Sequence, residues 1–164
     1  MILFEERQRL RQPWLLFLVL VPAALLWASM IQQIVRNRPV GTNPVNDWGM
    51  LLIWMLVGVG LPAFVIALRL DTIVDHERVL IRFRPLTSKT ICGSEIRSAS
   101  VRSYRPMREF GGWGLRGFGF HRAFTMNGNM GVQLVLASND RILIGSERPE
   151  ELATAIGAVM PDRS

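Results

Sequence analysis

Two windows of this 164-residue chain contain no Asp, Glu, Lys or Arg: Gln12 to Val35, 24 residues, and Trp48 to Leu68, 21 residues. A single soluble globule is hard to reconcile with two such windows. A hydrocarbon layer of about 30 Å, by contrast, is crossed by roughly 20 apolar residues of helix. The first window reads as a span over about 13–35, opening on Pro13, whose missing N–H is harmless in a first helical turn. The second reads as a span over about 48–68, with Trp48 at one interface and Arg69 at the other. The link from Arg36 to Asp47 holds two prolines, a glycine and three asparagines, so the spans are expected to form an antiparallel transmembrane hairpin covering 13–69.

Orientation is set by Lys and Arg near the span ends. Arg7, Arg9 and Arg11 precede the first span and Arg69, Arg78, Arg82 and Arg84 follow the second, against Arg36 and Arg38 in the link. That places both termini in the cytoplasm and the chain in the cytoplasmic (inner) membrane as a multi-pass protein. A cleaved signal peptide ending near Ala28-Ser29 is the competing reading, but the apolar stretch is longer than a typical signal core. Pro22 and Pro62 fall inside the spans, where neighbouring helices can re-satisfy the backbone. No ionisable side chain lies inside either span, which argues against an ion or proton path. Ala24, Ala28, Gly58 and Gly60 are small enough for close helix packing, within the hairpin or between copies.

The N-terminal segment, 1–12, is expected to be cytoplasmic and interfacial. Ile2-Leu-Phe4 with Leu10, and Glu5 four residues before Arg9, suit a short helix lying on the membrane surface.

After Leu70 the texture changes. Asp71–Asp75 and Arg78–Arg84 are β-branched or alternating runs separated by His76-Glu77. Ile96–Tyr104 is a poorer candidate strand. Ala123–Asn127 and Val132–Ala137 flank Gly-Asn-Met-Gly, which reads as a hairpin loop, and Ser138-Asn139-Asp140 turns the chain into Arg141–Ile144. Six or seven short strands result. The closing element is a helix over about 149–160: Pro149 can start it, Glu150 and Glu151 suit its first turn, and Leu152, Ala155, Ile156 and Val159 share one face.

The run from Thr72 to Leu86 (Thr-Ile-Val-Asp-His-Glu-Arg-Val-Leu-Ile-Arg-Phe-Arg-Pro-Leu) resembles the opening strands of bacterial pleckstrin-homology-like domains. Gly111–Arg116, Gly131–Leu136 and Ile144–Leu152 resemble their second half. Small bacterial membrane proteins with an N-terminal two-helix hairpin followed by such a domain share this layout. The resemblance covers roughly 72–158. It implies a membrane α + β chain whose segment 71–164 is a cytoplasmic small β-barrel or sandwich capped by the C-terminal amphipathic helix, and it brings no catalytic residues.

Gly112-Trp-Gly-Leu-Arg-Gly117 matches the G-x-G-x-x-G pattern, but Phe118-Gly-Phe120 follows in place of a helical period, so a dinucleotide loop is not expected. His76, His121 and Cys92 are the only His and Cys residues, and no local pattern pairs them for nucleophilic chemistry or metal binding. Cys92 reads as a small buried residue and His76 as a solvated turn residue. No enzyme, cofactor or metal site is expected.

Charge is more informative. Arg78 to Arg122 contains ten Lys and Arg against Glu95 and Glu109, net +8, whereas Ala123 to Ser164 has three basic and five acidic residues, net −2. A basic segment close behind a membrane span lies in the negative potential of an anionic leaflet, worth ~1 kcal/mol per cation. Arg78, Arg82 and Arg84 share one strand face at period 2, and with Trp113 and Arg116 they form the candidate lipid or partner contact. The acidic loop Asp75-His-Glu departs from the basic hairpin that binds inositol phosphates in eukaryotic pleckstrin-homology domains. Phe110, Trp113, Phe118 and Phe120 sit among glycines without a nucleic-acid module, so nucleic acid is not an expected partner. The leading expectation is a non-enzymatic interaction or scaffolding module that binds a protein partner or self-assembles at the membrane. The alternative is an anionic-lipid-sensing module using 78–122.

Overall fold

The computed structural model describes residues 2–36, 38, 46–109, 111–116 and 121–161; it does not describe the side chains of Arg116 and His121. Most of the turn-rich link, Phe110, and the Gly117–Phe120 part of the glycine–aromatic run therefore lie outside the described residues. Contacts divide the chain into two units, Arg11–Ala67 and a second made of Met1–Leu10 together with Leu68–Ser164.

The first unit is helical. α1 runs Pro13–Met30 and continues as a π-helical turn over Ile31–Val35. The second helical stretch comprises α2 (Asp47–Ile53), a π-helical segment (Trp54–Gly60) and α3 (Leu61–Ala67). Asn46 caps α2 by accepting from the Gly49 amide at 2.7 Å, satisfying one of the amides that a helix start leaves open. Both stretches, Pro13–Val35 and Asp47–Ala67, are long and apolar enough to cross a membrane. Most of their large side chains, including Phe17, Leu18, Leu25, Leu56 and Ile66, are exposed. The stretches pair antiparallel. Gln33 Nε2 donates to Asp47 Oδ1 at 3.1 Å near the link, and Trp27 Nε1 donates to the Gly58 carbonyl at 3.1 Å deeper in. Trp27 also meets Trp54 edge to face, centroids 4.9 Å apart. The small residues in the seam are Ala23 and Gly58; Ala24, Ala28 and Gly60, expected to pack within the hairpin or between copies, are exposed.

The second unit has two sheets. Strands β1 (Ile2–Arg9), β2 (Arg69–Asp75), β3 (Arg78–Arg84) and β4 (Thr87–Cys92) form an antiparallel sheet in that order. After a 3₁₀ turn at Gly93–Glu95 come β5 (Ile96–Ser103), the short helix α4 (Pro106–Glu109), β6 (Gly114–Arg116), β7 (His121–Thr125), β8 (Met130–Leu136) and β9 (Arg141–Gly145). The second sheet has the order β5-β8-β9-β7-β6, with β7 parallel to β9. Helix α5 (Pro149–Gly157) comes last and packs against β1 and β2 of one sheet and β5 and β8 of the other. Phe4, Leu70, Val79 and Ile81 from the first sheet, Phe124, Leu134 and Ile144 from the second, and Leu152 and Ile156 from α5 share one apolar core.

Three expectations are corrected. The N-terminal segment is a strand and not an interfacial helix: it pairs with β2 from Phe4↔Val74 to Arg9↔Arg69. Its Glu5 therefore meets Arg7, on the same face two residues on, at 2.7 Å, and not Arg9. Ala123–Asn127 and Val132–Ala137 are not a hairpin, because β9 lies between β7 and β8. The tight turn is the later one, around Asn139 with φ 69°, and it lets β9 pair with β8 before β7 joins β9 from the other side. Cys92 is exposed, being on the outer face of the edge strand β4.

Candidate functional site

Along β3 the burial alternates. Val79, Ile81 and Phe83 point into the core, so Arg78, Leu80, Arg82 and Arg84 occupy the outer face. Register then fixes their neighbours. Arg82 stands between Asp71 of β2 and Ser88 of β4, Arg84 faces Arg69, and Arg69 faces Arg9 of β1. Three arginines thus lie directly opposite one another across three adjacent strands. Like charges in such pairs destabilise a sheet by a few tenths to ~1 kcal/mol each. A stability rule broken locally makes this row the candidate site.

One carboxylate lies against two members of this row. Asp71 Oδ2 lies 3.5 Å from Arg69 Nε and 3.7 Å from Arg84 Nε, and its side chain is only 8% exposed. Among the described residues its Oδ1 has no hydrogen-bond partner. Arg82 has no carboxylate within ion-pairing distance among the described residues. Beside it opens a cleft of about 360 Å³ lined by Arg82, Arg84, Pro85, Leu86, Thr87 and Ser88. Guanidinium forks together with the Ser88 hydroxyl, which register places on the Arg82 face, form a donor set suited to a phosphate or carboxylate group.

The other candidates lie elsewhere. Arg78 is at the far end of β3, six residues and about 20 Å from Arg84. It closes the His76-Glu77 turn through Asp75, at 3.0 Å. The Glu77 amide, then the Arg78 guanidinium, hold the Asp75 carboxyl below the usual carboxylate range, and Asp75 raises Arg78 in turn. Trp113 is half-buried, its indole N–H donating to the Gly128 carbonyl at 3.0 Å. Arg116 belongs to the edge strand β6 of the second sheet. The net +8 segment is dispersed over both sheets: Arg97 donates to the Ala137 carbonyl and Arg102 pairs with Glu109. The described part of the glycine motif is a bend and a strand. No group of three or more potential metal ligands occurs among the described residues.

Sequence reasoning missed Arg9, Arg69, Asp71, Thr87 and Ser88. A signal existed for two of them. With the turn at His76-Glu77, partners on β2 and β3 have numbers summing to 153, which pairs Arg69 with Arg84 and Asp71 with Arg82. Arg9 gave no such signal, because its own strand lacks the alternation that marks one.

These features define a protein of two helices of membrane-crossing length and a two-sheet unit whose first sheet carries a basic cleft. The chain belongs to DUF6141, a family of unknown function, whose model matches residues 1–161. No curated protein and no solved structure matches it.

Proposed function

We propose that this protein is a non-enzymatic module of the inner membrane, with two helices crossing as a hairpin and a pleckstrin-homology-like β unit on the cytoplasmic face that engages anionic headgroups. The supporting observation is the opposed row Arg9, Arg69 and Arg84 beside the Arg82–Ser88 cleft. In the chain, Arg9 is four residues before Pro13 and Arg69 two after Ala67, so short tethers join this end of the sheet to the helix ends. Cations so tethered experience the negative potential of an anionic leaflet. The pairing of β1 with β2 supports an even number of crossings, since strands of one sheet must lie on one side of a membrane. The excess of arginines before and after the spans favours the cytoplasmic side.

Labelling in intact cells tests the topology. In a Cys92→Ser background, cysteines placed at Arg38 and at Ser138 should differ: an impermeant reagent should reach Arg38→Cys and not Ser138→Cys. Labelling of both, or of Ser138→Cys alone, sinks the proposed orientation. Lipid engagement is tested with the full chain in neutral detergent, labelled on Cys92, titrated with short-chain phosphatidylglycerol. Binding should weaken with salt and drop about tenfold or more in Arg82→Glu/Arg84→Glu.

A second reading, self-assembly or a protein partner within the membrane, is favoured by an apolar groove of about 430 Å³ along the second helical stretch, lined by Leu52, Met55, Leu56, Val57, Gly60, Leu61 and Phe64. Disulfide formation by Leu56→Cys in membranes would support it. Monomer alone at high protein-to-lipid ratio would count against it.

A further inference from the structure

We propose that the end of the β unit from which the chain leaves for the helices, and to which it returns, is an inserting rim. Leu86 and Met107 enter the acyl boundary of the leaflet, and Arg84, Arg105 and Arg108 beside them take its phosphates. This rests on the anionic-headgroup reading above and adds an apolar component to it.

Among the described residues, six large apolar side chains of the β unit are exposed: Ile2, Leu3, Leu86, Met107, Leu115 and Met130. Exposed apolar residues scattered singly are ordinary, but the last four of these gather at one end. Leu86 follows Arg84, whose strand partner is Arg69, itself opposite Arg9. Asn127 donates to the Arg9 carbonyl at 2.7 Å and brings the turn between β7 and β8 to the same end. Met130 opens β8 after that turn, facing Ser103, where β5 ends. Tyr104 then joins the turn twice, its amide donating to the Asn129 carbonyl and its hydroxyl to the Asn127 carbonyl, and α4 follows at once. Leu115 is one residue inside the Gly114↔Thr125 pair, where β7 ends. Ile2, by contrast, lies opposite Asp75 at the far end of the first sheet.

Two tips at the rim repeat a local pattern: Arg84-Pro-Leu86 between β3 and β4, and Arg105-Pro-Met107-Arg108 at α4. Leu86 is 54% exposed and Met107 61%, the highest values of the four. An apolar tip flanked by guanidiniums matches the layering of a leaflet, with the apolar group reaching the acyl chains and the cation staying at phosphate depth. Glu109, the carboxylate of α4, is engaged by Arg102 and by the Arg105 amide, and the side chains of Arg105 and Arg108 are exposed. Connectivity favours the lipid surface over a protein partner. Leu10 and Leu68 pack on the β core, so only Arg11 and Gln12 separate the β unit from α1, and Leu68 directly follows α3. Two residues span at most about 7 Å, too little to carry the rim away from the surface that the helices enter.

The test uses the full chain in a Cys92→Ser background, in nanodiscs of equal parts phosphatidylcholine and phosphatidylglycerol, with a nitroxide on one introduced cysteine at a time. Power saturation compares access of oxygen, which concentrates among acyl chains, with access of a neutral nickel chelate, which stays in water. Leu56→Cys gives the acyl reference; Ile2→Cys, at a residue comparably exposed at 56%, gives the aqueous one. Leu86→Cys and Met107→Cys should show an oxygen-to-nickel ratio about threefold or more above Ile2→Cys, as for groups buried about 5–10 Å into the headgroup boundary. In phosphatidylcholine alone the ratio at Met107→Cys should fall while that at Leu56→Cys holds. Adding Arg105→Gln/Arg108→Gln in the mixed discs should produce the same fall. A water-like ratio at either tip, with Leu56→Cys in the acyl range, overturns the rim and leaves the headgroup reading standing; the tips are then free for a protein partner. Insertion indifferent to phosphatidylglycerol and to the two arginines overturns the phosphate-binding half. A water-like ratio at Leu56→Cys removes the membrane reading and the rim together.

Discussion

Ser146 donates a 2.5 Å hydrogen bond to the carboxylate of Glu6, 140 residues earlier in the chain. The same carboxylate accepts from the Glu147 amide at 2.8 Å and from Gln8 Nε2 at 3.0 Å, and Gln8 in turn donates to the Gly145 carbonyl at 3.0 Å. From the solvent side Arg148 reaches the Glu5 carbonyl at 2.8 Å and covers the Phe4 ring, while Asn127 donates to the Arg9 carbonyl at 2.7 Å. The first strand thus belongs to one sheet by its ladder and to the other by its side chains. Its exposed edge is occupied by side-chain donors, which also blocks edge-to-edge association.

Glu6→Ala should therefore destabilise the β unit by ~2–3 kcal/mol, since the buried Ser146 hydroxyl and the part-buried Glu147 amide lose their acceptor and Gln8 loses one of two. Glu6→Gln, which keeps one oxygen, should cost about half as much. Thermal unfolding of the detergent-solubilised chain, followed by near-ultraviolet circular dichroism, measures both. Equal and small losses would show that the cluster is not a staple.

Tyr104 is the only tyrosine in the chain and is 1% exposed, its hydroxyl donating to the Asn127 carbonyl at 3.3 Å. Burial pushes its phenol up to about 12 from an ordinary value of 10.0. The folded state thus holds its proton longer than the unfolded one, and the resulting stability is full below pH 10 and lost as pH rises from about 10 to 12. Absorbance at about 295 nm, where phenolate absorbs, should show an ionisation near 12 in the folded protein and near 10 in denaturant. A midpoint near 10 in the folded protein would mean that the phenol is solvated.

Gly131 sits where β8 crosses β9. A Cβ there would lie 2.4 Å from the Ile144 carbonyl oxygen and 3.1 Å from Gly145 Cα. Gly131→Ala should cost roughly 1–3 kcal/mol through displacement of the central strand pair. Gly157→Ala, at the end of α5 with nothing among the described residues within 4 Å, should be neutral or stabilising by a few tenths to about 1 kcal/mol. Paired denaturation curves give the contrast, and a similar outcome for the two would contradict the packing described.

In the helical unit, Pro62 has no N–H to offer the Gly58 carbonyl four residues before it, and Trp27 Nε1 donates there instead. Trp27→Phe retains an aromatic ring against Trp54 and removes the donor. It should loosen the helix pair by about 0.6 kcal/mol, the usual worth of an interhelical hydrogen bond in lipid. Steric trapping in bicelles resolves a change of that size, and Pro62→Ala, which restores the amide, should reduce the effect of the tryptophan change.

Much of this architecture is legible without coordinates where side-chain hydropathy and position agree. The two uncharged windows correspond to the helical stretches within one or two residues at each bound, and the runs after Leu70 become β2 and β3 about the expected turn. Pro149 and the i, i+3, i+4, i+7 face of Leu152 to Val159 place α5 correctly because cap chemistry is local. The first strand is illegible for a definite reason. Its inward positions are Phe4, Glu6 and Gln8, so the buried face is mostly polar and the alternation that marks a strand is absent. The edge strand β4 hides likewise, with Ile91 as its single buried residue. Arg82 and Arg84 are readable as one face of one strand; that Arg9 and Arg69 join them, and that Asp71 lies among them, depends on pairings between distant segments.

By itself, then, the sequence determined the features that composition along a stretch of chain dictates: two apolar helices, a basic margin around them, a strand-rich remainder and a closing amphipathic helix. Tertiary structure alone decided that residues before the helices complete a sheet begun after them, that β9 inserts between β7 and β8, and that four arginines surround a single buried carboxylate. Local periodicity records which face of an element is buried. It carries no information about which other element does the burying, and both the Glu6 staple and the arginines around Asp71 are made of that second choice.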